Sequence, residues 1–191
     1  MFLEDFPDKE GKRGWIEVVC GSMFSGKTEE LLRRVKRAQI AGQNVAIFKP
    51  SIDTRYADLE DVSHDSNNIS AVSVSETEEI LKRAALAKVV AIDEVQFFDD
   101  SIVEICNKLA SNGARVIVAG LDMDYKGNPF APMPQLLAVA EYITKVHAIC
   151  MQCGQLANFS HRISSDEEQV VLGEKDKYEP LCRVCFNKIQ H

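Results

Sequence analysis

The chain has 191 residues, 46% of them hydrophobic and 27% charged, which supplies a full core and leaves no need for disorder or a disulfide-only scaffold. Twenty-two Lys and Arg against 29 Asp and Glu leave a net charge of −7, which excludes a surface built throughout to neutralise nucleic-acid phosphates. No apolar run approaches the roughly 20 residues of a bilayer-spanning helix. Residues 1–14 carry charges of both signs and lack the apolar stretch of a secretory signal, so a cytoplasmic chain with no membrane or nucleic-acid partner is expected.

In chain order, Trp15–Cys20 is short, β-branched and almost wholly apolar, as suits a strand buried on both faces of a parallel sheet. It runs directly into Gly21-Ser22-Met23-Phe24-Ser25-Gly26-Lys27-Thr28, which matches G-x-x-x-x-G-K-[ST]. Between a buried strand and an amphipathic helix, this pattern is a phosphate-binding loop. The glycines let backbone N–H groups curl around phosphate oxygens, and the following helix N-terminus adds partial positive charge. Lys27 is expected on the β- and γ-phosphates, and the Thr28 hydroxyl on Mg²⁺.

Leu31, Leu32, Val35 and Ala38 recur at helical spacing, and Gly42 stands where that helix would stop. Residues 45–48 read as a second strand. Residues 50–68 are polar without periodicity and are expected to form a long functional loop. Ser75-x-x-Glu78 has the pattern of a capping box, opening a helix that buries Ile80 and Leu81. Val89–Ile92 reads as a third strand ending in Asp93-Glu94, at the strand tip where open α/β sheets bind ligands. Asp93 is expected to hold Mg²⁺, with Glu94 able to take a proton from a hydroxyl acceptor or to polarise water; spacing alone does not decide which carboxylate is the base. A helix from Asp99 or Asp100 carries Ile102, Val103, Ile105, Cys106 and Leu109 and stops at Gly113. Residues 116–119 form a fourth strand, followed by a Gly- and Pro-rich shaped loop over 121–134. Alternating β and α implies a doubly wound layer, without fixing strand order.

The last segment changes character. Cys150-x-x-Cys153 and Cys182-x-x-Cys185 are separated by 28 residues and read as a tetrahedral four-cysteine zinc site stapling the base of a long loop. Four thiolates close the coordination shell, so this Zn²⁺ is structural. Cys20 and Cys106 are expected to be buried small hydrophobes. The divisions are 1–14 as an extension, 15–149 as the nucleotide-binding α/β domain and 150–191 as the zinc unit.

These strings occur in order with Lys49-Pro50, Asp53-Thr-Arg55-Tyr56, Ser63-His64-Asp65, Ile92-Asp-Glu-Val-Gln-Phe-Phe98, Gly120-Leu-Asp122, Pro129-Phe130 and Asp176-Lys-Tyr178. Together they closely resemble the zinc-containing type II thymidine kinases over residues 15 to about 186. The resemblance implies transfer of the ATP γ-phosphate to the 5′-hydroxyl of thymidine, giving dTMP, on a RecA-like α/β domain with a small zinc-binding lasso domain. It implies Glu94 as general base, Asp93 near Mg²⁺, and Asp53 and Arg55 on a loop closing over the phosphates. Gln96, in the same string, joins the ATP and Mg²⁺ contacts. A lasso over residues 155–180 would cover the base, with contacts around Val171 to Gly173 and at Tyr178. Met23, Phe97, Leu121, Tyr125 and Phe130 match positions lining the thymine slot, and Arg162 is a further candidate for substrate or phosphate. Tyr125 departs from the Phe of many relatives, and its hydroxyl must find a partner. A homotetramer and feedback inhibition by dTTP are implied by the resemblance alone. The competing expectation is a P-loop ATPase with a structural zinc site.

Overall fold

The computed structural model describes residues 13–52, 71–163 and 177–190. Asp53, Arg55, Val171, Gly173 and most of the expected lasso therefore lie outside the described residues.

Six parallel strands form the central sheet: β1 (Trp15–Cys20), β2 (Val45–Pro50), β3 (Val72–Val74), β4 (Val89–Ile92), β5 (Arg115–Gly120) and β6 (Tyr142–Lys145). Their spatial order is β3-β2-β4-β5-β1-β6. The expected doubly wound α/β layer is present, and β1 lies inside the sheet, between β5 and β6. β-branched residues dominate β1, β4 and β5 because both faces of these strands are covered. On one face Ile16, Val18, Phe48, Val90, Ile92, Val116 and Val118 pack with Ile102, Ile105 and Leu136. On the other, Val19, Ile47, Ala91, Ile117 and Ala119 meet Leu31, Val35 and Ala38 of helix α1 (Lys27–Ile40). Each such fully buried branched side chain contributes about 1.5–3 kcal/mol.

Helix α2 (Thr77–Arg83) does not open on the expected capping box: it starts at Thr77 with no side-chain cap bond. The Ser75 hydroxyl instead meets that of Ser51 at 3.1 Å, a partner across the β2–β3 edge that outcompetes local capping. Helix α3 (Ser101–Ser111) begins beside Asp99, whose carboxylate accepts the Ser101 N–H at 2.9 Å, and the chain turns at Gly113 with φ 89°. Helix α4 (Met133–Val139) closes the long loop after β5.

The C-terminal unit is built from two small antiparallel pairs, β7 (Ala148–Ile149) with β8 (Leu156–Ala157) and β9 (Phe159–Arg162) with β10 (Tyr178–Leu181), followed by helix α5 (Arg183–Gln190). It has its own core of Ala148, Ala157, Phe159, Leu181 and Phe186 around the cysteines. Phe159 and Phe186 stack with ring centroids 4.4 Å apart. Among the described residues, no helix is long and apolar enough to cross a membrane.

Candidate active site

The C-terminal tips of β1, β4 and β5 meet at one edge of the sheet, and the chemistry-bearing residues collect there. β1 delivers Gly21 into the phosphate-binding loop, and α1 starts at Lys27. Gly26 stands at the helix N-cap with φ 83°, a conformation glycine reaches without steric cost. Lys27 is buried, and its Nζ donates to the Ser22 carbonyl at 2.8 Å. The Ser25 hydroxyl donates to the same carbonyl at 2.7 Å. The loop is thus pulled closed around its own lysine.

Asp93 and Glu94 follow the last residue of β4 and turn in different directions. The Thr28 hydroxyl donates to Asp93 Oδ2 at 2.9 Å, and Asp93 Oδ1 accepts the Glu94 N–H at 2.9 Å. A hydroxyl and a carboxylate already paired at the start of α1 are the donor set a hard cation such as Mg²⁺ takes alongside phosphate oxygens. Burial, then the charge of Glu94, push the Asp93 carboxyl up to about 6.

Glu94 is strained. Its φ is 50°, in the left-handed region that disfavours residues with a side chain. Gln96, on the 3₁₀ turn Val95–Phe97, donates from Nε2 to Glu94 Oε2 at 2.5 Å, and its Oε1 accepts the Leu121 N–H at 3.0 Å. Gln96 was expected among the ATP and Mg²⁺ contacts; both ends of its amide are engaged within the protein. Gly120 makes room for this bridge, since a Cβ there would stand 2.7 Å from Gln96 Oε1. The buried carboxylate of Glu94 is therefore held through a neutral amide from the residue just beyond β5.

Three residues at this edge had no role assigned from sequence. Lys49 is buried at the end of β2, and the register Phe48↔Ile92 sets it beside Asp93. Asp122 is buried two residues beyond β5; its Oδ2 accepts from Lys145 Nζ at 2.6 Å, while its Oδ1 has no hydrogen-bond partner among the described residues. Because β1 lies between β5 and β6, this ion pair reaches across the exit of β1 into the phosphate loop. Ser160 on β9 is the third: its Oγ accepts the Met23 N–H at 2.9 Å, and nearby the Ser22 hydroxyl donates to the Ala157 carbonyl at 3.4 Å. A lysine closing an apolar strand was a legible signal for Lys49. The link from Met23 to Ser160 joins residues 137 apart, and no local pattern announces it.

Of the expected base-pocket residues, Met23, Phe97, Leu121, Tyr125 and Phe130 are all half-buried. Met23 is tied to β9 and Leu121 to Gln96 by the backbone bonds above. Arg162 contacts both Tyr125 and Tyr178: its guanidinium lies 3.7 Å from the Tyr125 ring centre and donates to the Tyr178 hydroxyl at 2.7 Å. Phe97 rides on the 3₁₀ turn beside Gln96, and Phe130 is anchored by its N–H to the Asp122 carbonyl at 3.1 Å.

The four cysteines converge. All four sulfurs of Cys150, Cys153, Cys182 and Cys185 lie within 4.8 Å of one another, and those of Cys153 and Cys182 are 3.5 Å apart. A tetrahedral Zn²⁺ with bonds of about 2.3 Å places its sulfurs about 3.8 Å apart, so this donor set can hold that ion. Cys20 and Cys106 are buried as expected; burial pushes their thiols up to about 11 and about 12, with the Asp122 charge adding to the first.

A thymidine kinase family profile matches residues 14–186. The thymidine kinase of Bacteroides fragilis is 57% identical over 188 residues, 98% of this chain and 94% of that protein. That of Bacteroides thetaiotaomicron is 58% identical over 97% of this chain and 94% of its own length, and that of a Rhodothermus species is 58% identical over 92% and 83%. Among solved structures, the flagellar accessory protein FlaH from Methanocaldococcus jannaschii superposes with a TM-score of 0.53 at 12% identity, covering 77% of this chain and 76% of that one. That likeness concerns the fold alone.

Proposed function

The chain belongs to the thymidine kinase family, and from that premise we propose how its residues carry phosphoryl transfer from ATP to thymidine. The observation that supports the assignment of roles is the Glu94–Gln96–Leu121 bridge, which fixes one carboxylate away from the Thr28–Asp93 pair. One carboxylate serves the cation and the other serves the acceptor.

In this reading, Gly21, Ser22, Met23, Phe24, Ser25 and Gly26 form the loop around the ATP phosphates, and Lys27 exchanges the Ser22 carbonyl for phosphate oxygens. Asp93 and Thr28 hold Mg²⁺, which when bound neutralises charge on the β- and γ-phosphates. Glu94 accepts the 5′-hydroxyl proton as that oxygen bonds to the γ-phosphorus and the bond to the β,γ-bridging oxygen breaks, leaving dTMP and ADP. Gln96 keeps Glu94 oriented for that step. Asp53 and Arg55 close over the phosphates from residues 50–68. Met23, Phe97, Leu121, Tyr125 and Phe130 wall a slot for a flat methylated base, an apolar surface that favours thymine over bases carrying an exocyclic amine.

Residues 150–191 form a unit anchored by structural Zn²⁺ on the four cysteines. From it the lasso, with Val171, Gly173 and Tyr178, covers the base. The enzyme works in the cytoplasm as a homotetramer and is inhibited by dTTP. These last assignments rest on the family resemblance.

The test is consumption of ATP by the purified protein with Mg²⁺ and thymidine, deoxycytidine, deoxyadenosine or no acceptor. Turnover that requires thymidine and yields dTMP supports the reading. Equal hydrolysis without an acceptor would make this a P-loop ATPase and remove the base-pocket assignments.

A further inference from the structure

Arg162 stands at the end of β9, directly opposite Tyr178 in the β9–β10 register. Its side chain is buried, with the residue 6% exposed. Nε and Nη2 both donate to the Tyr178 hydroxyl, at 3.1 and 2.7 Å. The guanidinium carbon lies 3.7 Å from the centre of the Tyr125 ring and 5.3 Å from that of Tyr178. Tyr125 comes from elsewhere in the chain, the loop after β5, and Lys126 adds a second cation 5.4 Å from its ring. One planar cation thus joins an aromatic ring of the sheet domain to one of the zinc unit.

Burying a guanidinium against two phenol rings is costly compared with packing an apolar side chain of the same volume there. What the cation supplies is geometry: a flat fork that stacks on one ring while fixing the hydroxyl of the other. We propose that Arg162 is a positioning residue for the nucleoside, acting through Tyr125 and Tyr178 and not by contact with phosphate. By locking these two rings at a set spacing, it prepares the walls against which the base is received. The proposal rests on the thymidine kinase reading above and adds to it a cause for nucleoside affinity.

The test compares Arg162→Met, Arg162→Lys, Tyr178→Phe and the Arg162→Met/Tyr178→Phe double variant, with bound zinc and Tm measured on each. Loss of a stacked cation and a charge-assisted bond should raise the thymidine KM by about tenfold in Arg162→Met, far more than it raises the ATP KM. Arg162→Lys keeps a charge over Tyr125 without the fork and should fall between wild type and Met. Tyr178→Phe removes a single oxygen, so it tests the idea even if Arg162→Met fails to fold. The double variant should be no worse than the worse single change, because both break one link. A rise confined to the ATP KM would make Arg162 a phosphate contact and overturn the proposal. So would additive effects, or a parallel loss of zinc, Tm and both affinities, which marks a purely structural residue. Wild-type protein without thymidine-dependent turnover would sink the underlying reading; wild-type turnover with an unmoved thymidine KM in the variants would sink this proposal alone.

Discussion

Asp93 and Glu94 are neighbours in sequence with different partners, Thr28 for the first and Gln96 for the second. Burial first, then the charge of Glu94, raise the Asp93 carboxyl to about 6 from an ordinary value of 3.8, although Thr28 and the Glu94 N–H favour the charged form. The folded chain therefore holds this proton more tightly than the unfolded chain does. The stability it contributes is full below about 4 and is lost as pH rises through about 6. Asp93→Asn should raise the Tm by about a few degrees at pH 8 without Mg²⁺ while abolishing Mg²⁺-dependent turnover; an unchanged Tm would mean the carboxylate is solvated. Glu94→Gln should lower kcat by roughly 10²–10⁴, the range for a lost general base, with ATP affinity within a few-fold, as read by equilibrium binding and initial rates. Near-native turnover would place the base elsewhere. The acidic pair was legible in the sequence because it terminates an apolar strand. Gln96's grip on Glu94 was not, because it depends on the left-handed turn at Glu94 and the absent Cβ of Gly120.

Among elements, β1 is held at its far end by a clamp. Glu17 is buried and accepts from Trp15 Nε1 at 2.7 Å, Arg34 Nη1 at 2.7 Å and Arg115 Nε at 2.6 Å. Arg34 also reaches Glu30 and Thr144, so one cluster ties β1 to α1, β5 and β6. Burial works to raise the Glu17 pKa, but the bonds from Arg115 and Trp15 outweigh it and hold the group below its ordinary value. Its contribution is present above about pH 4.5 and disappears as pH falls through the depressed folded value. Glu17→Gln takes the carboxylate from Arg115 and one of two from Arg34 and should cost about 3 kcal/mol at pH 7, seen as a lower urea midpoint with an unchanged slope and a weaker acid-side loss of stability. An unchanged midpoint would mean the clamp contributes nothing. The limits of β1 and β4 were readable because both faces are apolar. β6 was missed because Tyr142 to Lys145 alternates polar and apolar at an edge, and α4 because prolines at 132 and 134 suggested a loop. β7 to β10 are two to four residues long, too short for periodicity to mark without the cysteine cluster that organises them.

For the whole molecule, the four-cysteine unit is joined to the phosphate loop by the bonds of Ser160 to Met23 and Ala157 to Ser22. Chelating the metal should raise the thymidine KM first, as the roots of the lasso loosen, and then the ATP KM by a smaller factor. Metal-titrated initial rates would show this order; a rise in the ATP KM alone would reverse the dependence. The paired cysteines were visible in the sequence, whereas the bonds that tie Ser160 to Met23 and Ala157 to Ser22 are contacts that only the folded chain creates. The place of β1 in the sheet has one more consequence, for the order of events during synthesis. Trp15 pairs with Arg115 and Glu17 with Tyr142, so the phosphate loop is translated well before the strands that immobilise its base. A nascent chain that has not yet reached Lys145 holds β1 with one flank open, and the long loops that must close before this pairing forms make it a slow step. Nucleotide capture then becomes a late property, acquired only after β6 has emerged and paired with β1.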